Sequence, residues 1–75
     1  MSYPAMTVRQ RLEVMELSDH EWRVCDADLP QGDAQRVLGY VEKRGWHYEL
    51  TRLRSPGERL RFGSLTDSLA ALNNA

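Results

Sequence analysis

The chain has little of what usually staples or anchors a small protein. It carries one cysteine, Cys25, among 75 residues, which excludes an intramolecular disulfide framework, and no Cys/His cluster has the spacing of a structural zinc site. No apolar run approaches the roughly 18 residues of a membrane-spanning helix. The opening Met-Ser-Tyr-Pro-Ala-Met-Thr-Val-Arg has no basic stretch leading into an apolar one. Cytoplasmic residence without membrane contact is therefore expected. An excess of one charge is missing too: the net charge is -1 and the pI about 6.1, which argues against the strongly basic surface of a dedicated nucleic-acid binder. Linkers and low-complexity tracts are also absent, as is any internal repeat beyond a weak ββα doubling.

What is present suits a globular chain, with 41% hydrophobic and 28% charged residues. One domain over residues 1–75 is expected, with 1–6 and 73–75 as flexible tails. A domain of this size buries only roughly 60% of its unfolded surface, so packing or a partner must stabilise it. The near-neutral total conceals a division along the chain. Between residues 12 and 33, Glu13, Glu16, Asp19, Glu21, Asp26, Asp28 and Asp33 face Arg23 alone. Between 34 and 61, Arg36, Lys43, Arg44, Arg52, Arg54, Arg59 and Arg61 outnumber Glu42, Glu49 and Glu58. Such asymmetry bears on partners and steering rather than on fold.

Ala34, Val37, Leu38 and Val41 fall at i, i+3, i+4 and i+7, which predicts a helix over Asp33–Arg44. Pro30-Gln-Gly-Asp33 supplies the break and a capping carboxylate; Lys43, Arg44 and Gly45 supply a cationic last turn and a stop. Gly39 within it implies close approach of another backbone or a ring. A hairpin follows. Trp46–Arg54 and Glu58–Gly63 read as strands, joined by Ser55-Pro56-Gly57-Glu58 as a type II turn. A last helix opens at Ser64, with a Ser-x-x-Asp capping spacing to Asp67 and an apolar face of Leu65, Leu69 and Leu72.

Trp22–Asp26 reads as a strand. Residues 7–17 fit both alternation and helical spacing, and the strand is preferred because a short polar turn separates them from Trp22. The expected architecture is α+β: a four-stranded antiparallel sheet with two helices on one face, in the order ββαββα, or αβαββα if the first segment is helical.

Pairing outward from the Ser-Pro-Gly turn sets Arg54 opposite Arg59 and Arg52 opposite Arg61, with Leu53, Leu60, Phe62 and Thr51 on the other face. Two stacked arginine pairs invite an anion, since like charges directly opposed on a sheet are unfavourable. Arg52, Arg54, Arg59 and Arg61, with Trp46 beside them, are thus the candidate binding residues. Trp46, Tyr48 and Leu50 share the arginine face by strict alternation, or enter the core if a bulge falls near Leu50–Arg52. Core placement is preferred for Trp46, Trp22 and Tyr40, which sends His47 to solvent. Asp26, Asp28 and Asp33 lack the pattern of a calcium loop and read as a solvated loop with a helix cap. Cys25 reads as a small buried hydrophobe. Asp19-His20-Glu21 offers neighbours in a turn that point different ways, with no nucleophile, so catalysis is not expected.

Val41-Glu-Lys-Arg-Gly-Trp46 followed by a basic hairpin resembles the small toxin ribonucleases of bacterial toxin and antitoxin pairs, which have a double-stranded-RNA-binding-like fold. That family carries a histidine after a Gly-Ser hairpin turn. Here the turn is Ser55-Pro56-Gly57-Glu58 and no histidine follows, so the resemblance implies no ribonuclease activity. The function expected is a noncatalytic interaction or regulatory module, without cofactor or metal, contacting an acidic protein surface or a second copy of itself. The alternative is a weak nucleic-acid-binding module using Arg52, Arg54, Arg59, Arg61 and Trp46.

Overall fold

The computed structural model describes residues 11–73. The expected tails at 1–6 and 74–75 lie outside that range, while Asn73 is the last helical residue. Two strands, β1 (Leu12–Ser18) and β2 (Glu21–Asp26), lead into a turn of 3₁₀ helix at Ala34–Arg36. Then come β3 (Val37–Arg44), β4 (His47–Arg52), β5 (Arg59–Phe62) and one helix, α1 (Leu65–Asn73). The strands form one antiparallel sheet in chain order, β1-β2-β3-β4-β5. The four-stranded sheet with two helices is thus corrected to five strands and one helix.

The segment predicted as a helix supplies β3 instead. Val37 and Val41 are β-branched and lose rotamer freedom in a helix. Their four-residue spacing suits an alternating strand as well as a helical stripe. Gly39 explains the choice: a Cβ there would lie 2.5 Å from the Thr51 carbonyl oxygen on β4. The close approach expected of Gly39 is real, but the neighbour is a paired strand. Asp33 does cap, accepting from the Gln35 N–H at 2.8 Å, over a 3₁₀ turn rather than an α-helix. The preference for a strand in the first segment holds over Leu12–Ser18; its residues 7–10 lie outside the described residues.

The Ser55–Glu58 turn forms, closed by Glu58 N–H to Ser55 C=O at 3.0 Å. Gly45 is the glycine with positive φ among the described residues, so this turn is not type II, which needs positive φ at Gly57. A second turn precedes it, closed by Ser55 N–H to Arg52 C=O at 3.1 Å. Strand pairing therefore begins farther from the bend: Leu50 faces Leu60 and Thr51 faces Arg59. That is a slip of three residues from the expected register, and an odd slip exchanges the two faces.

One sheet face is apolar and packs under α1. Val24, Val41 and Leu50 are buried there with Leu72 of the helix, flanked by Trp22, Tyr48, Leu60, Phe62, Leu65 and Leu69. Ser64 caps α1 as expected, its Oγ accepting from the Asp67 N–H at 3.1 Å. Toward β1 the opposite face is closed by the 27–36 segment, pinned by Arg36. Its guanidinium donates to the carbonyls of Asp26 and Leu29 and lies 2.6 Å from Glu13. Cys25 is a buried free thiol, as expected.

Candidate functional site

The register disperses the arginines. Arg52 lies on the Leu50 face, is paired in register with Gly39, and forms an ion pair with Glu58. Arg59 and Arg61 project from the other face, opposite Thr51 and Glu49. Arg54 is exposed in the loop after β4. The shared face expected of Arg52, Arg54, Arg59 and Arg61 is therefore not formed, because the extra turn at Arg52–Ser55 shifts the pairing.

On the helix-free face, cross-strand neighbours form rows. One row runs Glu21, Glu42, Glu49 and Arg61 across β2 to β5. The next runs Arg23, Tyr40, Thr51 and Arg59. Three carboxylates thus lie side by side in one row, and guanidiniums stand at the ends of the next. A groove of 310 Å³ crosses it, lined in part by Leu17, Glu21, Tyr40, Glu42 and Arg59. Glu49 is engaged, with Arg44 Nη1 and His47 Nε2 each 3.6 Å away. Burial pushes its pKa up, but His47, Arg44 and Arg59 together outweigh this and hold it below the ordinary value.

The large hydrophobic side chain most exposed among the described residues, Trp46, stands at the β3–β4 tip. Arg44 pairs with His47, leaving Gly45 and Trp46 as a two-residue loop. Gly45 has φ 65°, and both favoured two-residue hairpin turns need positive φ at that first position. Trp46 follows and is 88% exposed, which corrects its expected place in the core. Tyr40, also expected in the core, is 39% exposed on the helix-free face. Trp22 keeps its core role, 5.9 Å from Tyr48 between ring centroids. His47, expected in solvent, has a side chain only 25% exposed. It meets Trp46 edge-on at 5.9 Å. Trp46, His47, Arg61, Phe62 and Gly63 line a shallow depression of 250 Å³. Lys43 and Arg44, both exposed, stand immediately before the loop. An aromatic ring in water that shares a depression with Arg61 and follows Lys43 and Arg44 in the chain is an arrangement that alternation alone does not reveal. The two-residue spacing between Arg44 and His47 is the clue that was available.

At the β1–β2 turn, Asp19 Oδ1 lies 2.7 Å from His20 Nδ1 and Ser18 Oγ lies 3.4 Å from the same nitrogen. The Asp19 hydrogen bond raises the His20 pKa and lowers that of Asp19. Ser18, His20 and Asp19 only superficially resemble a nucleophile, base and orienter. Both contacts fall on Nδ1, so the ring cannot take a proton on one nitrogen while a carboxylate holds the other. The turn is tied to β3 by Lys43 N–H to His20 C=O at 2.8 Å.

No helix among the described residues is long and apolar enough to cross a membrane. No protein-family model matches the chain, and neither a curated protein nor a solved structure is detectably similar to it.

Proposed function

We propose that the chain is a noncatalytic interaction module that docks an acidic protein surface on its β3–β4 tip. Trp46 is the anchor, and Lys43, Arg44 and Arg61 select for negative charge. The observation that carries this reading is the 88% exposure of Trp46 on a turn of two residues. Tryptophan and arginine dominate the energetics of protein interfaces, and an anchor held on a short turn loses little entropy on binding. Trp46 and Arg61 were candidates from the sequence, and Arg59 lies two register pairs beyond Arg61; Arg52, engaged by Glu58, and Arg54 fall outside this contact. The cytoplasm is the compartment in which such a module is placed. A second reading uses the same ring to stack nucleic-acid bases, which the neighbouring cations favour.

Tryptophan fluorescence of the full chain, with Trp22 as internal background, tests both readings. Titration with acidic peptides at low salt should change the emission, and Trp46→Ala and Arg61→Glu should abolish the response. Absence of any response to acidic peptides rejects the proposal. A response confined to RNA or DNA, weakening steeply with salt, establishes the second reading instead. Sedimentation over a concentration series tells whether the acidic surface belongs to a second copy.

A further inference from the structure

Glu21 and Glu42 are directly opposed across β2 and β3. Like charges in that position repel. Elsewhere the described carboxylates of this face are compensated: Glu13 by Arg36 at 2.6 Å and Glu49 by Arg44 at 3.6 Å. Among the described residues, no lysine, arginine or histidine nitrogen forms an ion pair with Glu21 or Glu42. Yet a ring nitrogen of His20 and one oxygen from each of the two glutamates lie within 4.8 Å of one another.

We propose that His20, Glu21 and Glu42 bind a divalent transition-metal ion of the zinc class. This is more than a concentration of carboxylates, because the imidazole of the β1–β2 turn supplies a nitrogen donor. One nitrogen and two oxygens suit zinc, whereas calcium and magnesium take oxygen donors. Four-coordinate zinc holds its ligand atoms about 3.3 Å apart, so the donors must close by at most about 1.5 Å, within reach of rotation in two glutamate side chains. Asp19 Oδ1 lies 2.7 Å from His20 Nδ1, so coordination through the other ring nitrogen would leave a carboxylate to fix the ring's orientation. The Lys43 to His20 backbone bond fixes the turn against β3, so the three donors come from one rigid region. Glu21 and Glu42 also line the groove of the helix-free face, which leaves a fourth position open to water or an exogenous ligand. The site requires nothing of Trp46.

Calorimetry of the chelator-treated full chain with Zn²⁺ tests this. One equivalent should bind, and His20→Ala and Glu42→Gln should each weaken binding at least tenfold. Asp19→Asn should weaken it about 10-fold, the scale of an orienting partner. Co²⁺ should give a visible d–d band that His20→Ala removes, and Cys25→Ala and Glu58→Gln should leave both readouts intact. Two results overturn the site: no binding of Zn²⁺, or binding that His20→Ala and Glu42→Gln leave unchanged, which means an adventitious ion only.

Discussion

Replacing Gly39 by alanine turns the placement of this segment into a change of sign. The added Cβ would sit 2.5 Å from the Thr51 carbonyl oxygen and 3.4 Å from the Arg52 Cα. The oxygen contact is about 1 Å inside ordinary van der Waals distance, and the obstacle is backbone, which no rotamer change removes. β3 and β4 must part locally, straining the ladder that pairs Tyr40 with Thr51 and Val41 with Leu50. Overpacking of this kind costs up to about 3 kcal/mol, and the reduced freedom of the unfolded chain returns about 0.7. The net loss is about 2 kcal/mol, which lowers Tm by roughly 8 to 16 °C in a domain this small. Such a loss is large against a total stability of roughly 4 to 11 kcal/mol for 75 residues. Urea unfolding followed by circular dichroism measures it, with Gly63→Ala as control because nothing lies within 4 Å of a Cβ there. A helix over 33–44 would instead gain about 1 kcal/mol from the same substitution. Stability of Gly39→Ala equal to or above that of the parent chain would refute the strand.

Leu50 is fully buried beneath α1, so Leu50→Ala should cost about 2 to 5 kcal/mol by urea unfolding. Arg36, with a side chain only 12% exposed, donates to two carbonyls besides pairing with Glu13. Arg36→Met should lose about 2 kcal/mol by urea unfolding, and Arg36→Lys most of that, because an ammonium cannot reproduce the planar fork. Acidification should destabilise the protein through Glu49. Its folded pKa lies below the ordinary 4.5, so its contribution is present above 4.5 and is lost as the pH falls through the lower folded value. Glu49→Gln should flatten the stability profile in that window, and an unchanged profile would remove Glu49 from the account. Trp46→Ala, which removes a ring standing in water, should shift stability by less than about 0.5 kcal/mol while abolishing the tip's contacts.

Legibility in the sequence followed the strength of each local pattern. The Ser64 cap and the leucines of α1 are unambiguous because capping chemistry and periodicity agree. Trp22–Asp26 was likewise readable, while the first segment fitted two periods and only the intervening polar turn favoured the strand found over Leu12–Ser18. The 33–44 segment was not. Val37 and Val41 satisfy two periods at once, and Gly39, the middle member of the alternation, has no side chain to display it. The candidate site failed for a related reason. Ser55-Pro56-Gly57-Glu58 was placed correctly as a bend, but the adjoining Arg52–Ser55 turn has no glycine or proline at its centre to announce it. Since every odd slip inverts a strand, that one turn moved Arg52 to the opposite face from Arg59 and Arg61. The opposition of Glu21 and Glu42 was invisible for the same cause, because a helical Glu42 has no cross-strand neighbour.

The order of the sheet bears on how the molecule is made. Each strand pairs with the one synthesised before it, so the contacts are local and assembly can proceed rapidly in step with chain growth. The covering layer, however, comes after every strand it covers. Until Leu65–Asn73 has left the ribosome, Val41 and Leu50 have no lid, and a nascent sheet with one greasy side exposed is the species that chaperones attend and that sticks to its neighbours.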